Sequence, residues 1–240
     1  MEIETLAGEI RQFCIENSDQ ALVKKYSRFF VEGYDAFGVP QKVMENQRDI
    51  WLKEHKDEFG MEGFFCLGDL LVSTGKYEEA GFAIWFADSF RKDFSPATLE
   101  RIGRWLDDGV RNWAHADVLS YKIFSELVSR KIVPYTAFAL WRNAESKWKR
   151  RVVPVSLIKP LPLYENIQDI LDFLVPMMVQ PEKVVHQGLG WFLREAWKVY
   201  PQPVEAFLLQ WKETSPRLIF QYATEKMTPE QKARFKRTKK

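Results

Sequence analysis

Trp113-Ala114-His115-Ala116-Asp117-Val118-Leu119 finds a counterpart in Trp148-Lys149-Arg150-Arg151-Val152-Val153, and again in the stretch that runs from Val184 to Trp191. The first two tryptophans stand 35 residues apart, and Val184 follows Trp148 by 36. Periods of roughly 35 to 45 residues with two helices each belong to stacked helix-pair arrays. The tetratricopeptide pattern of Trp, Leu-Gly and Tyr at fixed offsets does not occur in these segments, so a HEAT-like period fits better. One such pair cannot bury its apolar face alone, and stacking neighbours produces a curved array with a concave surface.

Outward from these stretches, nearly every segment has helical period, and no alternating β-branched run is bounded by hairpin turns. Ser95-Pro96 and Thr228-Pro229-Glu230-Gln231 carry cap-and-proline signatures of helix starts. Pro134, Pro181, Pro201 and Pro216 punctuate others. The expected fold is therefore all-α: a HEAT-like or armadillo-like superhelix of stacked antiparallel helix pairs, with helices of about 10 to 18 residues. A length of 240 residues predicts one domain, taken as 1–230. Residues 231–240 form a basic carboxy-terminal tail, either frayed or free to seek phosphate.

Composition narrows the class. The chain is 46% hydrophobic and 28% charged, which suits a packed globule. The start Met1-Glu2-Ile3-Glu4 lacks the basic and apolar regions of a secretory signal, and no apolar run approaches the roughly 18 residues needed to span a bilayer. Cys14 and Cys66 stand far apart, as suits a reducing compartment. A cytoplasmic monomer without membrane contact is expected. The net charge of +2 hides an asymmetry: residues 1–100 hold 11 Lys and Arg against 19 Asp and Glu, while residues 101–240 hold 24 against 14. A polyanion would be drawn to the second part.

Several chemistries have no foothold. His55, His115 and His186 are scattered, no phosphate loop or metal-ligand spacing occurs, and nucleophile signatures are missing, so neither metal nor cofactor is expected. The tryptophans and one carboxylate remain. Trp113 and Asp117 are four residues apart and share a helix side. An ionised Asp117 among Ala114, Ala116, Val118 and Leu119 is costly unless something cationic meets it, although a dipole-complementing surface aspartate would look the same. Lys147, Lys149, Arg150 and Arg151 surround Trp148 in a basic run suited to phosphates. Gly188 and Gly190 each cost a helix about 1 kcal/mol, which close packing or close ligand approach must offset.

Taken in order, these motifs resemble the DNA alkylation repair glycosylases of the AlkD type. Trp113 followed by Asp117, the Trp148-Lys149-Arg150-Arg151 run, and Gly190-Trp191-Phe192-Leu193-Arg194-Glu195 are similar to the family's motifs on successive repeats. Upstream, Lys25-Tyr26-Ser27-Arg28-Phe29-Phe30 and Tyr34-Asp35-Ala36-Phe37-Gly38-Val39-Pro40 look like its amino-terminal segment. Asn112 departs from the pattern, since well-known relatives carry a second tryptophan there. The resemblance implies a six-repeat solenoid gripping double-stranded DNA that contains alkylated purines. Trp113, Asp117 and Trp191 would lie around the damaged nucleotide and Arg151 on the backbone. Lys147, Trp148, Lys149, Arg150 and Tyr26 join the DNA-contacting set.

The residue types suit that chemistry. A purine alkylated at N3 or N7 is cationic and leaves as a neutral base, so a carboxylate need only stabilise the oxocarbenium-like sugar and place the attacking water. Indole faces add attraction for a cation. The resemblance implies a lesion that stays stacked rather than flipped. Two other classes fit parts of the pattern: a non-catalytic repeat protein that binds DNA by shape and charge, and a scaffold for a protein partner. Asp117 separates enzyme from binder, because phosphate binding alone has no use for a carboxylate.

Overall fold

The computed structural model describes residues 2–238. Among the described residues all regular structure is helical. The contacts gather the chain into two compact units, Met1–Ile123 and Phe124–Lys240.

The first unit holds α1 (Ile3–Glu16), α2 (Gln20–Ser27), α3 (Gln41–Ser73), α4 (Tyr77–Asp88), α5 (Pro96–Gly103), α6 (Trp105–Asp108) and α7 (Trp113–Leu119). The turn between α3 and α4 is so short that α4 must fold straight back along α3. At 33 residues α3 exceeds the length expected of a single repeat helix, and it is broken at Gly60, with φ 57° and ψ −169°. That conformation is open to glycine and hardly to any other residue, so the break is written in one position. Leu6, Ile10 and Cys14 of α1 are wholly buried, and α1 packs on α3 and α4. Trp51, Phe82 and Phe13 close edge-to-face at 5.3 to 6.2 Å, the geometry that ring quadrupoles favour.

The second unit holds α8 (Ser125–Ser129), α9 (Lys147–Ser156), α10 (Ile167–Leu174), α11 (Lys183–Val199), α12 (Pro201–Trp211), α13 (Arg217–Ala223) and α14 (Pro229–Ala233). Its centre is α11, which packs on both α9 and α13. The two helix glycines permit this. A Cβ on Gly188 would come within 3.2 Å of Arg151 and Val155 on α9, and one on Gly190 within 2.7 Å of the Ile219 carbonyl on α13. Close helix packing, rather than ligand approach, offsets their cost in propensity.

The proline signals hold locally. Ser95 N donates to Thr98 Oγ1 at 3.1 Å, and Thr228 and Gln231 exchange the two bonds of a capping box. Pro201 opens α12 and Pro216 precedes α13, but Pro134 introduces only the 3-10 turns Tyr135–Phe138 and Leu140–Asn143. The basic carboxy-terminal stretch, expected to be either frayed or free to seek phosphate, packs against the second unit as far as it is described. Phe235 is buried, Arg217 donates to its carbonyl at 2.9 Å, and Arg237 donates to Ser215 O at 3.0 Å.

The glycine packing makes a stability prediction. Gly190→Ala should destabilise the second unit by about 1 to 3 kcal/mol, because the new methyl overpacks the α11–α13 contact. Urea unfolding measures it, and an unchanged midpoint would show that α13 yields freely.

Candidate active site

Trp113 is the first residue of α7, and Asn112 caps that helix: its Oδ1 accepts from His115 N at 2.9 Å. The expected position of a second tryptophan is thus occupied by a side chain that starts the helix. With Oδ1 committed to the cap, Asn112 Nδ2 faces His115 Nδ1 at 3.0 Å and donates to it. The His115 proton therefore sits on Nε2. A π turn, Ser120–Phe124, follows α7 directly, a local irregularity common near functional sites.

The loop after α2 holds Trp113 in place. Its indole Nε1 donates to Phe29 O at 3.1 Å, and its ring stacks on Phe30 at 5.6 Å, which in turn stacks on Tyr34 at 4.6 Å. The indole is nevertheless 40% exposed. Asp117 lies one turn further on α7 and is half-buried, while its neighbours Ala116 and Leu119 are in the core. The sequence spacing thus holds: an aromatic face and a carboxylate sit one turn apart on a capped helix.

What anchors the loop was not read from sequence. Glu78, 1% exposed, accepts from the backbone of Phe37 at 2.9 Å, Gly38 at 2.7 Å and Val39 at 3.2 Å. Charge-assisted bonds to backbone N–H groups offset the cost of burying the carboxylate. Next to it, Glu79 is buried and takes a two-pronged bond from Arg11 at 2.9 and 3.1 Å. A signal existed: two acidic residues open the otherwise apolar helix Tyr77–Asp88. A helix hydrophobic all round is buried, so its charges must be partnered. Burial, reinforced by the Glu78 charge, pushes the Tyr34 and Tyr77 phenols and the Cys14 thiol up from their ordinary ranges.

Loop, α4 and α7 enclose a cavity of about 610 Å³. Tyr26, Phe29, Phe30, Tyr77, Trp85 and Trp113 supply its aromatic walls. Asp117 is outside the lining. At the rim, Tyr26 and Phe29 are exposed, Lys25 lies over the Tyr26 ring at 5.3 Å and Arg28 over the Phe29 ring at 4.8 Å. His115 is buried against Tyr77, with ring centroids 4.4 Å apart. Burial pushes its imidazole down to about 4, and the nearby Tyr77 carbonyl opposes that shift only in part.

The remaining expected residues belong to the second unit. Trp148 is 6% exposed and part of the core. Arg151 is 5% exposed, and its Nη1 donates to Val184 O at 2.6 Å, tying α9 to α11. That places the expected backbone-contacting arginine in the interior of the unit. Arg150 pairs with Glu182 across the same two helices. Lys147 and Lys149 remain partly exposed, with their ammonium groups over the Trp148 and Trp141 rings at 5.2 and 5.1 Å. Trp191, on α11, is half-buried.

The fold is all-helical and presents an aromatic and a carboxylate on one capped helix, and the comparisons supply the family. The family model of the DNA alkylation repair enzymes matches residues 10–227, and the chain belongs to that family. A predicted DNA alkylation repair enzyme from Enterococcus faecalis has the same fold, with a TM-score of 0.76 at 19% identity, covering 89% of this chain and 98% of that one. The smu.31 protein of Streptococcus mutans UA159 is similar at a TM-score of 0.57 and 18% identity, covering 77% and 93%. No curated protein matches the chain. Membership gives the protein a role in DNA repair, with DNA as what it acts on. Among the described residues no helix is long and apolar enough to cross a membrane.

The buried imidazole makes stability depend on pH. Its folded value lies below the unfolded 6.5, so the unfolded chain takes up the proton first as pH falls. His115 therefore lowers stability progressively from about pH 6.5 down to about 4, by up to about 1.4 kcal/mol per pH unit. His115→Phe should flatten that slope in urea unfolding across this range. Equal slopes in the two proteins would show that the imidazole titrates normally.

Proposed function

We propose that this protein is a DNA glycosylase that hydrolyses the N-glycosidic bond of cationic alkylated purines, 3-methyladenine and 7-methylguanine, in duplex DNA without flipping the base. The observation that carries it is the pairing of Trp113 and Asp117 one turn apart on a capped helix, with Trp113 held by a hydrogen bond and a ring stack yet open to a ligand. Family membership supports it. A surface that bound DNA by charge alone would gain nothing from that carboxylate.

In this mechanism the bond between C1′ and the purine nitrogen breaks, and its electron pair neutralises the cationic base. No acid is needed for the leaving group. The Asp117 carboxylate stabilises the positive charge that develops on the sugar and orients a water, which adds at C1′ and gives up its proton to that carboxylate, from which it passes to solvent. The Trp113 face attracts the same positive charge, and Trp191 is given this role from the family motif. Tyr26 contributes a further contact at the Trp113 rim. Arg150 and Arg151 organise α9 against α11, while Lys147 and Lys149, both partly exposed, take the phosphates.

Two measurements test the proposal. Asp117→Asn should lose about 10² to 10³ in the rate of methylpurine release while keeping its affinity for duplex DNA. Wild-type release by the variant, or no release by the wild type, sinks the glycosylase assignment and leaves a DNA-binding protein. Lys147→Ala with Lys149→Ala should lower the slope of log affinity against log salt by about 2, roughly 0.9 for each phosphate no longer neutralised. An unchanged slope would put the phosphates elsewhere.

A further inference from the structure

Of the eleven cations in residues 1–100, Arg11, Lys42, Arg48, Lys76 and Arg91 pair with carboxylates. Lys24, Lys25 and Arg28 are exposed and make no ion pair among the described residues. Lys53 and Lys56 lack one too, but Glu54, Asp57 and Glu58 stand beside them, whereas no acidic residue occurs from Gln20 to Val31. The edge where α2 runs into the loop is thus a local excess of positive charge within the acidic half of the chain.

The fold makes little use of this edge. Arg28 follows Lys24 by four residues and Lys25 by three, spacings at which like charges repel one another on a helix. The dipole of α2 favours cations at its end, yet it gives no reason for the rings among them. The helix has no buried residue, and Tyr26 and Phe29 are 40% and 51% exposed. Lys25 lies over the first ring and Arg28 over the second. The edge is nevertheless ordered. The Phe29 and Phe30 amides donate to Tyr26 O and Ser27 O at 2.9 and 3.0 Å, and the Phe29 carbonyl takes the Trp113 indole proton. An ordered run of cations interleaved with aromatic rings is therefore tied directly to Trp113.

We propose that Lys24, Lys25, Tyr26, Arg28 and Phe29 form a contact surface for the sugar–phosphate backbone of the damaged DNA strand beside the lesion. That backbone alternates phosphates with the apolar faces of deoxyribose, and this edge offers cations to the first and rings to the second. Phosphate contacts fix register and orientation without reading sequence. Because the edge and Trp113 are joined by a hydrogen bond, gripping the neighbouring phosphates sets where the reacting sugar stands against the indole. The choice of DNA rests on the family, and the choice of strand rests on the glycosylase proposal, which assigns Trp113 to the reacting sugar.

The test measures the affinity of the full chain, by fluorescence anisotropy across a salt series, for a duplex carrying one 7-methylguanine made uncleavable by 2′-fluorination. Lys24→Gln, Lys25→Gln and Arg28→Gln together should weaken binding about tenfold or more and lower the slope of log affinity against log salt by about 2 to 3, roughly 0.9 per phosphate. Tyr26→Ala with Phe29→Ala keeps the carbonyl that holds Trp113, and should weaken binding about fivefold with the slope unchanged. Methylphosphonates replacing the phosphates nearest the lesion on the damaged strand should weaken the wild type but not the triple variant; on the other strand they should affect both proteins alike. If a variant loses its helical circular dichroism, the wild-type response to the two methylphosphonate series decides. An unchanged salt slope, equal losses in both proteins from the damaged-strand series, or a wild-type response confined to the other strand overturns the proposal. Release of methylpurines from cleavable duplex is scored separately. A protein that binds as described but releases nothing keeps this surface and loses the glycosylase reading, while excision with an unchanged slope removes the surface alone.

Discussion

A carboxylate buried without water must find hydrogen-bond donors or destabilise the fold, and Glu78 finds them in three consecutive backbone amides, Phe37 to Val39. Much of the first unit's surface chemistry follows from that constraint. The segment between α2 and α3 has no regular structure, so its own backbone cannot hold it. Anchored to α4 from inside, it can present Phe29 and Phe30 to the Trp113 indole, one through a carbonyl and the other through a ring face. Trp113 can then be exposed without being loose. A half-exposed aromatic is useful in recognition only if its orientation is already set, because ordering it on binding would cost affinity.

The helix bearing Trp113 serves two environments at once. Positions 113 and 117 face outward and position 115 faces the core, as a period of 3.6 residues requires. A single turn of α7 therefore carries the proposed catalytic groups at its more exposed positions and a buried imidazole between them, and Trp113 and His115 both border the aromatic cavity.

How much of this was legible follows from the range of each interaction. The all-α class, the helix starts at Ser95-Pro96 and Thr228-Pro229, and the shared face of Trp113 and Asp117 depend on neighbours within a few residues, and sequence carries those directly. Glu78 answers to Phe37, 41 residues upstream, and Trp113 answers to Phe29, 84 residues upstream. No local pattern announces such partners. The inward bond of Arg151 is hidden for a related reason: the residue belongs to a run of four cations around Trp148, and only the pitch of α9 shows that its Nη1 reaches the Val184 carbonyl. The docking of the basic end is similar, since Phe235 supplies an apolar anchor that net charge conceals. Gly188 and Gly190 could be read as packing or as ligand approach, and only the positions of α9 and α13 distinguish the two.

Asn112 has an evolutionary implication. One side chain both caps α7 and assigns the proton on His115, so the two positions form a single inherited character. A tryptophan at 112 would remove the cap oxygen and free Nδ1 together, leaving the imidazole to choose its tautomer anew. Positions 112 and 115 should therefore covary across the family, with histidine at 115 accompanying a small capping amide and lost where an indole takes its place.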